Sequence, residues 1–480
     1  MAQSSLFKRI IAALLLVCMV LSFSACDDND KEQGKEHNTS HKETKIQDTR
    51  IPYSREDGLN PFMAKSLMNN SVMPLIYDGL FFVDSNFNAQ PSLAADFEVV
   101  DNTIIVNLAS KRFSDGSVVS ADDVIYSFNK AKASPYYASQ LIQVNRAYAK
   151  SDRAIVFDFP IKNIYSAACL TFPVVKQGTA EDIKSIPTGS GQYKYKETPD
   201  GGRLLQNRRN TSEEYNSKNI TLVNMSTSTA LMYALVVNNY DATYDDLSDG
   251  STERINASTI QVQLNNMIYL GINSSGIFAD PVLRHHLNNC INREVLVNSG
   301  LEGNASPTRH PFNPSWYALK EKKYSFKASK ESEDYLATAL KGKTLNILTN
   351  ADNSFKKKLA ETLVSELNSL HVSANVVALP ADQYIASAQS GAYDLLVGEI
   401  KLTNDMNISS LIGDEELINS YAEMMAGNIK PEEFAKLFDN FSPFIPIGFR
   451  KGILAYSRNI NSEVRPLPES PYANIKDWVV

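Results

Sequence analysis

The chain has 480 residues, 43% of them hydrophobic and 21% charged, with a formal net charge of −7 at pH 7. An acidic balance argues against general nucleic-acid binding, which needs a basic surface. The length exceeds one ordinary core, so two or more lobes are expected.

Lys8 and Arg9 precede an apolar stretch from Ile10 to Val20, and the small residues Ser24 and Ala25 precede Cys26. A charged start, a short apolar run and small residues before a cut describe a secretion signal over residues 1–25. The run is shorter than the roughly 20 residues of a membrane span. Its end resembles the bacterial lipobox, which implies that Cys26 is acylated and becomes the mature N-terminus. An ordinary cleaved signal with an unmodified cysteine is the alternative; the polar run directly after Cys26 favours the lipoprotein. From Asp27 to Arg50 there is one Ile and no aromatic residue. Such a segment buries too little apolar surface to fold, so residues 26–50 are expected to be a disordered tether behind the lipid. Loss of residues 1–25, which carry Lys8 and Arg9 and no acid, takes the net charge from −7 to −9.

Further along, Thr103–Leu108 has the β-branched content of a strand. Ser120, followed by Asp122 and Asp123, marks a capped helix start, with Val124, Phe128 and Ala131 at helical spacing. Gly189-Ser190-Gly191 invites comparison with a phosphate loop. However, Lys194 and Lys196 alternate along a strand pattern and no helix opens there, so the segment reads as a turn into a strand. Residues 269–273 read as a strand, and Pro281 opens a helix expected to reach Val297. From residue 343 the order is strand (343–349), helix (354–370), strand (375–378), helix (381–390) and strand (393–397), which argues for a partly parallel α/β lobe. Strands over 444–449 and 452–456 follow. Cys169 and Cys290 follow no framework spacing and are expected as buried free thiols. No CxxC or HExxH motif occurs, and six scattered histidines give no zinc pattern.

Several blocks resemble, in order, the bacterial solute-binding proteins of peptide and nickel importers, family 5 of the extracellular solute-binding proteins. They are Leu59-Asn60-Pro61; Leu75-Ile76-Tyr77-Asp78-Gly79-Leu80 with Pro91-Ser92-Leu93-Ala94; Phe113-Ser114-Asp115-Gly116 with Ala121-Asp122-Asp123-Val124-Ile125-Tyr126-Ser127-Phe128; and Gly189-Ser190-Gly191-Gln192-Tyr193. Tyr269-Leu270-Gly271-Ile272-Asn273, Asp280-Pro281-Val282-Leu283-Arg284, Ile291-Asn292-Arg293-Glu294 and Phe444-Ile445-Pro446 continue the series. The resemblance implies an α/β fold of the periplasmic-binding-protein type II kind, with two lobes joined by a hinge and an extra third domain. The expected division is lobe I over 51–80, an additional domain over 81–184, lobe I again over 185–265, a further lobe over 266–455 and a return to lobe I over 456–480. It also implies a monomeric receptor that captures a short peptide by hinge closure and hands it to the permease and ATPase subunits of an ABC importer. No cofactor, no resident metal and no nucleic acid are expected. A nickel or metal-chelate receptor, a peptide sensor without import and an extracytoplasmic hydrolase are the alternatives. Against the last, Asp122 and Asp123 sit where a helix dipole explains them, and no Gly-x-Ser-x-Gly elbow is present.

The candidate ligand contacts follow from the same resemblance. Asn69, Asn70 and Ser71 are placed to hydrogen-bond a peptide, with helix capping as an equal alternative. Many relatives carry a Trp and an amine-binding Asp after the strand at 393–397. Aligning Gly398 and Asp405 on that pattern puts Glu399 at the Trp position and Leu402 at the Asp position. Glu399 is a substitute anchor, or a structural partner of Lys401, the reading favoured. Arg309, beside His310, is a carboxylate contact or a solvated loop residue. Tyr269 is a ligand-stacking ring or, more in keeping with its strand, a core one.

Fatty-acid labelling of cells producing the protein should tag the mature chain. Cys26→Ala should abolish the label and release the protein from the membrane fraction; label retained by the variant would refute lipidation at Cys26.

Overall fold

The computed structural model describes residues 48–480 apart from 200, 226–234, 251–255, 321–325 and 327. The signal segment, Cys26 and the tether up to residue 47 lie outside the described residues. The first strand, β1 (Thr49–Tyr53), begins inside the segment expected to be tether. Arg50 explains this, because its backbone N–H and guanidinium both donate to the buried carboxylate of Asp241, at 2.8 Å each.

Helix α1 (Leu67–Ile76) is capped by the Ser66 hydroxyl, itself braced by Asp57. Next come the hairpin β2 (Phe81–Val83) and β3 (Ala89–Pro91), then β4 (Ala94–Val100) and β5 (Thr103–Leu108). Helix α2 (Ala121–Lys132) starts at Ser120, whose hydroxyl and backbone N–H exchange hydrogen bonds with Asp123, the reciprocal cap read in the sequence. With β6 (Arg146–Ser151) and β7 (Ala154–Asp158), the antiparallel sheet β4-β5-β7-β6 is complete. Strands β8 (Tyr193–Thr198), β9 (Gly201–Gln206) and β10 (Asn219–Asn224) return to β1, which lies parallel to β10.

A larger sheet follows, with order β11-β17-β12-β16-β14-β15 and β13 paired to β17. Its strands are β11 (Ala242–Asp245), β12 (Ser258–Ile272), β13 (Ala305–Pro307), β14 (Thr344–Asn350), β15 (Ser373–Leu379), β16 (Leu395–Lys401) and β17 (Phe444–Tyr456). Helices α3 (Pro281–Cys290), α4 (Lys330–Ala339), α5 (Ser354–Ser369), α6 (Ala381–Ser390), α7 (Glu415–Met425) and α8 (Pro431–Phe441) alternate with them. The run β14-α5-β15-α6-β16 matches the expected order, with β15 and β16 both parallel to β14. Leu359, Leu363 and Leu367 of α5 are buried one turn apart.

Two elements differ from the sequence reading. Helix α3 stops at Cys290 instead of reaching Val297. The fully buried Arg293 guanidinium donates to the carbonyls of Asn288 and Ile291, at 3.1 Å each, and so takes acceptors that a continuing helix would need. The two expected strands at 444–449 and 452–456 are one 13-residue strand, because Arg450 and Lys451 between them pair with Ala305 and Gln263.

Three large apolar cores result among the described residues, beside a small fourth cluster of Leu235, Tyr240 and Ala455. The first runs from β1 and α1 through the β4–β7 sheet and takes in Leu454, Ile475 and Trp478. The second packs α3, α4 and α5 against β12, β14, β16 and β17. The third joins Val83, Phe87 and Tyr165 to Met267, Trp316, Met406 and Tyr421, with the Tyr165 and Trp316 rings 4.8 Å apart. Cys169 and Cys290 are free and buried. Among the described residues no helix is long and apolar enough to cross a membrane.

The Gly189-Ser190-Gly191 turn folds onto the C-terminal end of α1, where the Gly191 N–H donates to the Ile76 carbonyl at 2.9 Å. A Cβ at Gly189 would lie 2.2 Å from the Ile76 oxygen, and one at Gly191 2.5 Å from its carbonyl carbon. Overpacking of this kind costs about 1–3 kcal/mol. Gly191→Ala should therefore lower unfolding stability by about 2 kcal/mol; a urea midpoint equal to wild type would show that the turn does not seat the helix.

Candidate ligand-binding cleft

Strands β12 and β17 each run from the first core into the second, and also give Met267, Phe444 and Phe449 to the third. Val262 and Leu264 of β12, with Leu454 of β17, lie in the first core, whereas Ile268, Leu270, Ile445 and Ile447 lie in the second. The ladder between them is interrupted midway. Gln263 pairs with Lys451, and the next pair is Met267 with Phe449. Residues 264–266 thus face the single residue Arg450, a bulge of the kind that re-aims side chains.

Two adjacent cavities, each about 310 Å³, share Asn70, Tyr136 and Glu469, and the second of them opens beside this bulge. The first lies along α1, against Met73, Pro74 and Tyr77, and is closed by Phe81, Phe82 and Tyr137. Asp78 also faces it; desolvation raises this carboxyl above its ordinary range, against a hydrogen bond from Ser190 that lowers it. The second cavity is lined by the bulge residues Asn265 and Asn266, by Tyr244 of β11 and Asp246 just after it, and by Lys401 and Asn404 at and after the end of β16. Their size suits a small molecule.

Asn70 is only 6% exposed, and among the described residues neither polar atom of its amide finds a hydrogen-bond partner. Pro74, one turn further along α1, has no N–H to give the Asn70 carbonyl. A buried amide without partners costs free energy unless something else supplies them. Lys401 has no ion-pair partner among the described residues, and its Nζ sits 5.2 Å from the centroid of the Tyr136 ring. Glu469 accepts from the Asn404 amide at 2.9 Å.

The structure brings Asn70, Ser71 and Lys401 to the cleft and leaves the other sequence candidates outside it. Asn69 is fully buried and clips the chain, accepting from Ser54 N at 2.7 Å and donating to Ser54 O and Gly58 O. The helix cap is Ser66, so none of the three residues 69–71 performs that task. Ser71, although it faces the second cavity, donates back to the Leu67 carbonyl at 2.7 Å. The Tyr269 ring packs on Phe444, 5.6 Å between centroids. Arg309 grips both carboxylate oxygens of Asp439, at 2.9 and 2.8 Å. Asp405 is fully buried, accepting from Asn163 at 2.7 Å and from Thr403; burial raises its pKa. Leu402 is buried in the third core.

Glu399 is structural, but not through Lys401. Its Oε1 accepts from Arg450 Nε at 2.8 Å and from Asn266 at 3.0 Å, while Oε2 pairs with Lys356 at 3.0 Å. Burial works against its charge, yet Arg450 and Lys356 together hold its pKa below the ordinary carboxylate value. On β16, side chains two apart share a face and long-range partners decide the pairing, so the neighbouring lysine was a poor guide.

The residues that the sequence reading missed are Tyr136, Asp246, Asn265, Asn266 and Glu469. Two adjacent asparagines between the apolar residues Leu264 and Met267 are a usable sign of a bulge, since Asn is depleted in strands. Pro74 inside a helix was another. Glu469 lies in a proline-rich turn with no local pattern to mark it.

Comparison with known proteins agrees with this architecture. The model of the bacterial extracellular solute-binding proteins, family 5 middle, matches residues 88–409. The oligopeptide-binding protein AppA of Bacillus subtilis is 22% identical over 344 residues, covering 65% of this chain and 63% of that relative, so the match spans just under two thirds of its length. The protein AppA from Clostridium difficile superposes with a TM-score of 0.70 at 15% identity, over 90% of this chain and 100% of the other. NikZ from Campylobacter jejuni, solved with Ni(L-His), gives 0.61 at 18% identity, over 90% and 99%. At these identities the solved structures establish the fold: a type II binding-protein architecture.

Removing one member of a buried ion pair strands the other and costs about 3–5 kcal/mol. Glu399→Gln should lower stability by about 3 kcal/mol, measured by chemical unfolding, because Arg450 is buried beside it. A loss below about 0.5 kcal/mol, the scale of an ordinary surface change, would overturn its role as the brace of the bulge.

Proposed function

This chain belongs to the bacterial extracellular solute-binding proteins, family 5, and on that premise we propose that it captures a short peptide between its lobes and delivers it to an ABC importer. In this reading the protein is exported, acylated at Cys26 and held outside the cytoplasmic membrane as a monomer. It binds its cargo without altering it. Permease and ATPase subunits of the importer are its partners, and closure about the β12–β17 connection holds the cargo.

The observation that carries the reading is Asn70. Its buried amide offers one acceptor and two donors to the two cavities, and a peptide group presents the complementary donor and acceptor. The aromatic wall formed by Phe81, Phe82 and Tyr137 suits an apolar side chain next to that peptide group. The described lining residues carry amide, hydroxyl, carboxylate, ammonium and aromatic groups, with no His or Cys among them, which favours a peptide over a metal chelate. The oligopeptide-binding name of the Bacillus relative points the same way.

Thermal-shift and calorimetric screens against peptide libraries test this. Peptide at 100 times its Kd should stabilise the protein by about 2.7 kcal/mol. Asn70→Leu removes an amide that has no partner, so the ligand-free protein should keep or gain stability, by about 1 kcal/mol. The same variant should lose at least about tenfold in peptide affinity, that is ~1.4 kcal/mol. Wild-type affinity in Asn70→Leu, or no stabilisation by any peptide, would overturn the reading.

A further inference from the structure

We propose that the peptide lies in one direction, with its ammonium end on Glu469 and its carboxylate end on Lys401, which places its first side chain in the aromatic cavity. This rests on the peptide reading above and adds to it the polarity of the bound chain.

The charges are few, and the two opposite ones leave each other unpaired. Lys401 lines only the second cavity, and Asp246, the other charge confined to that cavity, already faces the Arg450 guanidinium at 3.9 Å. Glu469 lies at the boundary shared by both cavities, beside Asn70 and Tyr136. Lys401 and Glu469 therefore line the same cavity, yet among the described residues they do not pair with each other. Two opposite charges that line one partly enclosed space without neutralising each other are complementary to the two ends of a zwitterion. Asn404 fixes Glu469 through its amide, and the Tyr136 ring fixes the Lys401 ammonium, so both groups are aimed before a ligand arrives.

Asn70 supplies an independent indication of direction. Its unpartnered amide sits at the same boundary as Glu469, where the first peptide group after the ligand's ammonium would lie. Beyond that boundary the first cavity offers Met73, Phe81, Phe82 and Tyr137 to a side chain. A chain bound with its amine at Glu469 presents its first side chain there; the reversed chain would place its carboxylate beside Glu469 and Asp78 and its ammonium beside Lys401, two like-charge encounters.

The test uses tripeptides of the series X-Ala-Ala in four forms: free, N-acetylated, C-amidated and doubly blocked, titrated calorimetrically into the mature wild-type protein, Glu469→Gln and Lys401→Met. Apolar and aromatic X should bind best. Acetylation should weaken wild-type binding at least about tenfold, and amidation likewise, the scale of removing one partner of a desolvated charge pair. In Glu469→Gln the acetylation penalty should shrink to about threefold or less while the amidation penalty persists; Lys401→Met should show the converse. Penalties unchanged in the variants, or exchanged between them, would overturn the direction. Wild-type binding indifferent to both blocks would overturn it while leaving the peptide reading intact, whereas failure of every free tripeptide and longer library peptide to bind would overturn the peptide reading itself. Glu469→Ala and Lys401→Gln provide a second pair should either first variant melt well below wild type.

Discussion

Everything in the large half of this molecule is built around one ladder, that of β12 against β17. Fifteen and thirteen residues long, these strands are too long to serve a single core, and each places its two halves in different ones. A regular ladder of that length would be stiff and would point alternate side chains at fixed intervals. The bulge at 264–266 breaks this regularity at the one place where the two cores part. It turns two asparagines toward the cleft and leaves Arg450 opposite, buried, in need of a negative partner.

The supply of that partner explains the electrostatics nearby. Glu399 comes from β16, Lys356 from the first turn of α5 and Asp246 from the loop after β11, so four separate segments meet at the bulge. A buried ion pair of this sort adds little net stability compared with apolar packing, but it penalises any arrangement that separates its members. Here the arrangement it enforces is the register of β12, β16 and β17 around the cleft. Lys401, two residues along β16, is left out of the network and remains available to the cavity.

Local patterns in the sequence were reliable wherever local physics decided the outcome. The reciprocal cap at Ser120, the Asp280-Pro281 helix start, the four-residue spacing of leucines in α5 and the parallel order of β14, β15 and β16 all depend on neighbours or on simple periodicity, and the structure has them. Readings failed where a distant group competed. Helix α3 is shorter than its local pattern suggests because Arg293 claims its carbonyls, and residues 444–456 form one strand because Gln263 and Ala305 pair across its middle. At the cleft the same division holds. Asn70 and Lys401 could be nominated from position in a family pattern, but that Glu399 pairs with Arg450, 51 residues away, is information that no window of sequence contains.

The path of the chain through the first core has a kinetic consequence. Strand β1 has no partner until β10 is made, some 170 residues later, and the core that holds Ile51 and Tyr53 is finished only by Leu454, Ile475 and Trp478. Such non-local closure makes folding slow, because loop entropy must be given up before contacts reward it. A chain emerging from its N-terminus therefore cannot complete either face of the cleft early, and its opening segments stay extended while the rest is delivered. That delay is a hazard for a protein folding in a crowded compartment and an asset for one that has to be threaded across a membrane before it assumes its shape.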